Sequence, residues 1–418
     1  MSAAFNDMLN DNLHYDLLKQ ELMKKNYLWK HAAHDEDCVG DIIVPFQSNR
    51  ATSVKNGNGP TAVADIHKHV NVRGSIAQSS RPKLWMSLAF DYEDVINHEG
   101  RVKQKSFLGK FLPDQVSDGT DFFSETVNHM FLNSAYIDEV AEDSDNTGVV
   151  VVKRIERFEV GQKVLFDLSS DLSGYVKTIN INTNELLIVT TRGGVTPRDL
   201  TTAVADTKIY QDGFETGNRL SSLRDLLLAQ ANGGSANIYG VSKLSSTYTQ
   251  AVNIDGSEAT EDNLLEKIFL GLVKYKKLTK VGVTEIWVSF KNGGAIMKIL
   301  EQDKGPYKAS PGSTKSNEYG FTEITIFGPE TGAIKFVLMP ELNDDVIFFM
   351  DPKAFTIHSN GGIRKVKDPE GKVYTTDRSA TDGFTFICDM YFSGDIVVHK
   401  PSRCGVMYDI DFEFAEAV

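Results

Sequence analysis

Phe5, Met8, Leu9, Leu13, Leu17, Leu18 and Leu22 recur at three- and four-residue steps. That spacing predicts an amphipathic helix near the start of the chain, with Asn, Asp and Lys on its other face. Such a helix docks on its own core or on a neighbouring subunit. From Gly40 the period shortens. Asp41 to Phe46 reads as a short strand, and Ser48 to Thr61 is a polar stretch holding Asn56-Gly57-Asn58-Gly59-Pro60. Val63 to Val72 and Leu84 to Phe90 alternate around the polar connection Arg73 to Lys83, and predict the two arms of an extended β-hairpin. A long hairpin without a core of its own lies against something else.

Helical spacing returns at Asp121 to Leu132, where Phe122, Phe123, Val127, Met130 and Phe131 share a face and Ser117 or Thr120 caps the start. Glu139 to Gly148 is an acidic, turn-rich break. Val149 to Tyr210 then reads as all-β, with strands at Phe158 to Phe166, Tyr175 to Ile181, Leu186 to Thr191 and Lys208 to Tyr210. Short strands with frequent turns predict a small barrel or sandwich, inserted between helical segments. Leu220 to Ala231 reads as a helix. Thr260 to Leu278 is a stronger one, with acidic residues first, lysines last, and a buried face of Leu264, Leu265, Ile268, Phe269, Leu272 and Val273. A strand at Thr284 to Phe290 and a helix at Ala295 to Leu300 follow. Strands are then expected at Glu323 to Phe327, Ala333 to Leu338, Val346 to Met350, Lys365 to Lys367, Phe384 to Phe392, Ile396 to His399 and Val406 to Phe414. The class is α+β.

Composition narrows the function. The 418 residues carry 44 Lys and Arg against 57 Asp and Glu, a net charge of −13. A surface built as a whole to grip phosphate would be basic. The apolar runs fall far short of the ~20 residues of a membrane span, and the first residues lack the pattern of a secretory signal. Cys38, Cys388 and Cys404 are too few for a disulfide framework and read as reduced thiols.

Candidate chemistry is sparse. His31, His34 and Cys38 have ligand-type side chains, but a zinc site takes about four ligands and no second Cys/His pair follows. Asp143, Asp145, Thr147 and Gly148 imitate a calcium loop that then places Arg154 where the bidentate Glu belongs. His67 and His69 point to one strand face with no carboxylate set beside them. Neither a phosphate loop nor a nucleophile elbow occurs. These residues support no catalytic site, no cofactor and no metal.

The order of parts resembles the major capsid proteins of tailed bacteriophages with the Hong Kong 97 type fold. Leu28-Trp29-Lys30-His31 leading into Gly40 to Phe46 resembles the arm and the approach to the extended loop. Lys83 to Phe90 followed by Ser106-Phe107-Leu108 resembles the far side of that loop and the approach to the spine helix. Asn237-Ile238-Tyr239-Gly240-Val241 and the helix from Thr260 resemble the axial domain. Gly361-Gly362-Ile363-Arg364, Tyr391 to Val398 and Pro401 to Val406 resemble the C-terminal strands.

The resemblance implies an N-terminal arm (1–46), an extended loop (47–100) and a peripheral domain with a spine helix (101–148). It further implies an inserted β-barrel-like domain (149–212), a return through the peripheral domain (213–260), an axial domain (261–400) and a C-terminal strand (401–418). It implies pentamers and hexamers closing into an icosahedral shell around double-stranded DNA. Contact with that DNA would be non-specific, and no membrane is involved. A scaffolding protein and a portal are expected partners, and a decoration protein is a further one. Assembly would take place in the host bacterial cytoplasm, and the protein would end in the virion. Arg73, Arg81, Lys83, His67, His69, Leu13 and Leu17 are the expected inter-subunit contacts. Two alternatives stand beside this reading: an encapsulin-like compartment of the same fold, and a non-assembling β-rich binding protein.

Overall fold

The computed structural model describes residues 28–412 except 30–31, 36–37, 39, 48–70, 79–80, 92–107, 134–135, 145, 168–171, 213–219, 280–281, 303–322, 329–331, 367–374 and 378–384. The expected N-terminal helix, with Leu13 and Leu17, lies outside these residues, as do His67 and His69. The chain divides into two compact units, one of Met1–Asn133 with Leu223–Val418 and one of Ser134–Ser222.

The first unit opens with β1 (Ala33–Asp35), β2 (Ile42–Gln47), β3 (Asn71–Ile76) and β4 (Lys83–Asp91), followed by the 25-residue helix α1 (Leu108–Leu132). Two expectations are corrected here. The hairpin is made by β2 and β3, in register Ile42 with Ile76 and Gln47 with Asn71. The segment Lys83–Asp91 is not its second arm and pairs elsewhere. α1 also begins well before Asp121. Pro113 and Gly119 read as helix breakers in the sequence, but the helix runs through both.

The second unit contains β5 (Tyr136–Glu139), β6 (Val149–Val151), β7 (Lys163–Phe166), β8 (Ser173–Asn180), β9 (Glu185–Val189) and β10 (Lys208–Gln211). They form one sheet in the order β5-β10-β7-β8-β9-β6. An antiparallel bridge between Val140 and Val152 joins the two end strands, so the sheet closes into a small barrel. Val140, Val150, Val164, Phe166, Leu186, Ile188 and Ile209 fill it, all fully buried. β5 takes in Glu139, so the acidic break that follows it lies inside this unit rather than at its edge.

The first unit resumes with α2 (Leu223–Leu227), β11 (Asn237–Ile238), β12 (Val241–Ser242), β13 (Val252–Asp255), α3 (Leu264–Thr279), β14 (Glu285–Val288) and α4 (Phe290–Gln302). It ends with β15 (Glu323–Gly328), β16 (Gly332–Leu338), β17 (Ile347–Met350), β18 (Phe355–Lys365), β19 (Thr375–Asp377), β20 (Thr385–Val398) and β21 (Gly405–Tyr408). The helix expected over Leu220 to Ala231 shrinks to α2. The strands expected either side of Ser393 are one continuous strand, β20. Of the strand expected at Lys365 to Lys367, Lys365 is the last residue of β18 and Lys367 lies outside the described residues.

Two sheets result. In one, β20 pairs with β18 and β19 on one side and with β4 on the other, while β1 adds to β18. The other is mixed, in the order β13-β21-β17-β14-β16-β15. α3 and α4 cover it through Leu264, Ile268, Leu272, Ala295 and Ile296, against Ile286, Phe336, Ile347 and Phe349. Trp287 is fully buried. Its indole N–H donates to Glu285 Oε2 at 3.0 Å, and its ring meets Phe355 edge-on at 5.5 Å, linking the two sheets. Asn133 at the end of α1 donates to the Glu341 carbonyl at 2.6 Å and accepts from the Asn343 N–H at 2.7 Å. Among the described residues no helix is long and apolar enough to cross a membrane.

Two stability predictions follow from these cores. Phe349→Ala empties a fully buried ring site and should cost about 3–5 kcal/mol in denaturant titration of the whole chain. Asp138 titrates abnormally. Burial pushes its pKa from 3.8 up to about 6, against the pull of Arg157 and of the Arg154 N–H that donates to it at 2.7 Å. Between those two values the folded chain holds more protons than the unfolded one, so stability falls as pH rises through the window and levels off above it. Two pKa units are about 3 kcal/mol. Asp138→Asn keeps an acceptor for Arg154 and removes the charge. Wild type should therefore lose about 2 kcal/mol relative to this variant from pH 4 to pH 6, and about 3 kcal/mol over the whole span from below the lower value to above the higher one, read from unfolding free energies across pH.

Candidate assembly interface

The β2–β3 hairpin has two faces. Ile42, Val44 and Phe46 point inward with Gly74 and Ile76. Ile43, Pro45, Arg73 and Ser75 point to solvent, with Arg73 opposite Pro45 in the register and Ile43 62% exposed. The hairpin is rooted on Tyr239. The phenol ring lies parallel to Phe46 with centroids 6.2 Å apart, and the Tyr239 carbonyl accepts from the Ser75 N–H at 3.0 Å. A Cβ at position 74 would lie 2.9 Å from the Tyr239 Cβ, so the close approach requires Gly74.

The Tyr239 hydroxyl reaches β20. It donates to the Ile396 carbonyl at 3.1 Å and accepts from the Val398 N–H at 2.8 Å. Burial and the Asp395 carboxylate hold this phenol well above its ordinary pKa, so it stays neutral and keeps its donor. The sequence offers Tyr239 only within a stretch that resembles the family; in the structure it sits in a left-handed turn, φ 50°, next to Gly240.

The expected contact residues fall in different places. Arg73 and Lys83 are exposed at the surface. Arg81 is turned inward, 4% exposed, and its guanidinium donates to the Cys38 carbonyl at 2.7 Å and to the Gly40 carbonyl. It braces the chain leading into β2 rather than offering a free cation. His34 uses its Nε2 to donate to the Trp29 carbonyl at 2.5 Å. His31 lies outside the described residues.

The structure instead brings Cys38 beside Asp35 and His358. The remaining reactive groups are subdued. Lys243 donates to the Asp225 and Leu228 carbonyls at 2.7 and 2.6 Å, and burial lowers its pKa to about 8. Burial raises the Cys404 thiol to about 12.

Exposed apolar groups form the other distinctive surface. Val273 does not join the buried face of α3. It is 64% exposed, one turn from Leu270 at 57%. Phe290 and Met297 recur on the outer face of α4. On β4, the half-exposed Trp85 stacks on Tyr391 of β20 at 5.3 Å.

No protein-family model matches the chain, and no curated protein does. Solved structures similar in shape include a cyanophage A-1(L) capsid asymmetric unit, 10% identical, with 94% of this chain and 92% of that one aligned at a TM-score of 0.49. Another is the capsid of a native GTA particle, 8% identical, covering 93% and 91% at 0.43. A virus-like particle from Pyrococcus furiosus is 8% identical, covering 95% and 98% at 0.39.

Tyr239→Phe tests the hairpin root. It keeps the ring and leaves the Ile396 carbonyl and the Val398 N–H without their partner. The expected loss is about 1–3 kcal/mol, seen as a lower denaturation midpoint together with faster amide exchange at Val398.

Proposed function

We propose that this chain is a major capsid protein of the Hong Kong 97 type, whose copies assemble as pentamers and hexamers into the icosahedral shell around the double-stranded DNA of a tailed phage. The observation that carries this reading is the order in which the chain builds its parts. A rooted hairpin is followed by a long helix, an inserted β-barrel unit, and a mixed six-stranded sheet covered by two helices. That order follows the family resemblance of the sequence. The exposed apolar faces of α3 and α4 fit a protein completed by its neighbours.

In this reading the extended loop is the β2–β3 hairpin with the residues between its strands, which include His67 and His69. The sheet around β20 with α1 is the peripheral domain. The sheet around β14 with α3 and α4 is the axial domain. Arg73 and Lys83 meet acidic patches on neighbours, and Leu13 and Leu17 dock the arm. Arg81 acts by holding the hairpin's entry. A scaffolding protein guides closure, a portal takes one vertex, and a decoration protein binds outside. The shell forms in the host cytoplasm, and the role is structural rather than catalytic.

Electron microscopy of the chain expressed alone and with a scaffold, beside size-exclusion mass, tests the reading. Shells or capsomer rings are expected. Leu270→Asp with Val273→Asp should abolish them while leaving the unfolding midpoint within about 0.5 kcal/mol, as for exposed positions generally. A 46.3 kDa monomer under both conditions would overturn the proposal. Shells that carry protein cargo and no nucleic-acid absorbance would favour the encapsulin-like alternative.

A further inference from the structure

β1 and β18 run parallel, in register Asp35 with His358. This register sets the Asp35 Oδ2 3.0 Å from the His358 Nδ1. Three residues on, the Cys38 N–H donates to the Ser359 carbonyl at 3.4 Å and keeps the chain beside the same strand. One ligand-type atom from each of Asp35, Cys38 and His358 then lies within 4.8 Å of the other two. The His358 side chain is only 12% exposed, and both of its ring nitrogens are shut off from solvent; Nδ1 has the Asp35 carboxylate beside it, and Nε2 has no hydrogen-bond partner among the described residues.

A buried imidazole with unused nitrogens is costly unless something engages them. Asp35 faces Nδ1, and among the described residues no neighbouring group engages Nε2. The His399 ring packs edge-on at 5.8 Å, but its own Nε2 is committed to Thr356 Oγ1 at 2.9 Å. Arg81 is bonded to the Cys38 and Gly40 carbonyls, so it fixes the Cys38 backbone and leaves the thiol free to face His358.

We propose that Asp35, Cys38 and His358 form a binding site for a borderline-soft divalent metal ion, Zn²⁺ by class, that clasps the chain before β2 onto β18. The donor set is one sulfur, one imidazole nitrogen and one carboxylate oxygen, which suits zinc. Zinc bonds run about 2.0–2.3 Å, so ligand atoms in a tetrahedron sit about 3.5 Å apart. Binding would draw the three ligand atoms, now within 4.8 Å of one another, in to that spacing. Thiolate and carboxylate together carry two negative charges, which balance the ion despite the nearby Arg81 cation. Binding releases the thiol proton to solvent. Water fills the fourth position.

The site does not depend on the capsid reading, because it holds two segments of one chain. Sequence spacing groups Cys38 with His31 and His34, whereas the structure supplies Asp35 and a histidine more than three hundred residues away.

The test uses the full chain, stripped with a chelator and titrated with Co²⁺. One equivalent should produce a thiolate-to-cobalt charge-transfer band in the near ultraviolet and the strong visible bands of four-coordinate cobalt. Cys38→Ser should abolish the charge-transfer band. His358→Gln and Asp35→Asn should weaken Zn²⁺ binding, measured by competition, by more than the about 10–100-fold typical of outer-shell partners. His34→Gln should change neither. Zn²⁺ should also raise the thermal midpoint of wild type and not that of Cys38→Ser, a readout that holds if a variant is less stable. A missing charge-transfer band, or one that survives Cys38→Ser, would overturn the proposal. So would a zinc-induced rise in midpoint that persists in that variant.

Discussion

The backbone of β20 sets the terms for much of the first unit. Its fourteen residues must find hydrogen-bond partners on both edges, because nearly all of its later half is buried. β18 and β19 serve one edge, and β4 serves the other only as far as Ser393. Beyond that point the edge would be left bare. The Asp395 carboxylate takes the Ile396 N–H at 2.9 Å, and the Tyr239 hydroxyl takes the Ile396 carbonyl and the Val398 N–H. The tyrosine that completes this edge also stacks on Phe46 and holds Ser75. One side chain therefore closes a sheet and roots a hairpin.

The inserted unit solves the same edge problem by closure. With Val140 bridged to Val152, its sheet has no free end strand, and its fully apolar centre is satisfied internally. A unit of this sort can be added between two elements of a host fold without borrowing hydrophobic contacts for its own core. Buried Asp138 is the exception inside it. Its carboxylate accepts from the Arg154 N–H and sits in the field of Arg157, yet desolvation still outweighs both.

Local pattern made most elements legible and most pairings illegible. Period-two alternation found β2, β4, β8 and β9, and helical spacing found α3, because those signals are carried by neighbouring residues. Whether Lys83–Asp91 pairs with β3 or with β20 depends on residues three hundred positions away, and alternation is silent on that. The start of α1 was hidden because Pro113 and Gly119 carry a local preference that the rest of the helix overrides. The sequence leaves a gap between the strands expected to end at Phe392 and to begin at Ile396, yet Gly394 continues β20 there, where a Cβ would meet the His358 carbonyl at 2.7 Å. Arg81 looked like a surface cation, since sequence does not reveal two backbone carbonyls waiting for it. Of the candidate surface, the charges of Arg73 and Lys83 were readable. The outward turn of Val273 was not, because Val273 falls one position beyond the helix's buried stripe.

The surfaces left over share a property that bears on assembly. Individually they are weak: a few half-exposed apolar side chains, and isolated cations on a chain of net charge −13. An exposed ion pair contributes ~0–1 kcal/mol, which would not hold two molecules together. A closed symmetric assembly changes the arithmetic, because every copy repeats every contact and no copy can leave without breaking several at once. Weak single contacts then become useful, since misplaced subunits can dissociate before the lattice closes. The rigidity resides instead inside the subunit, where Tyr239, Arg81 and Trp287 hold the hairpin, its entry and the two sheets in fixed relation. In the proposed capsid reading, strong internal joints with weak external ones are what a reversible builder of large shells requires.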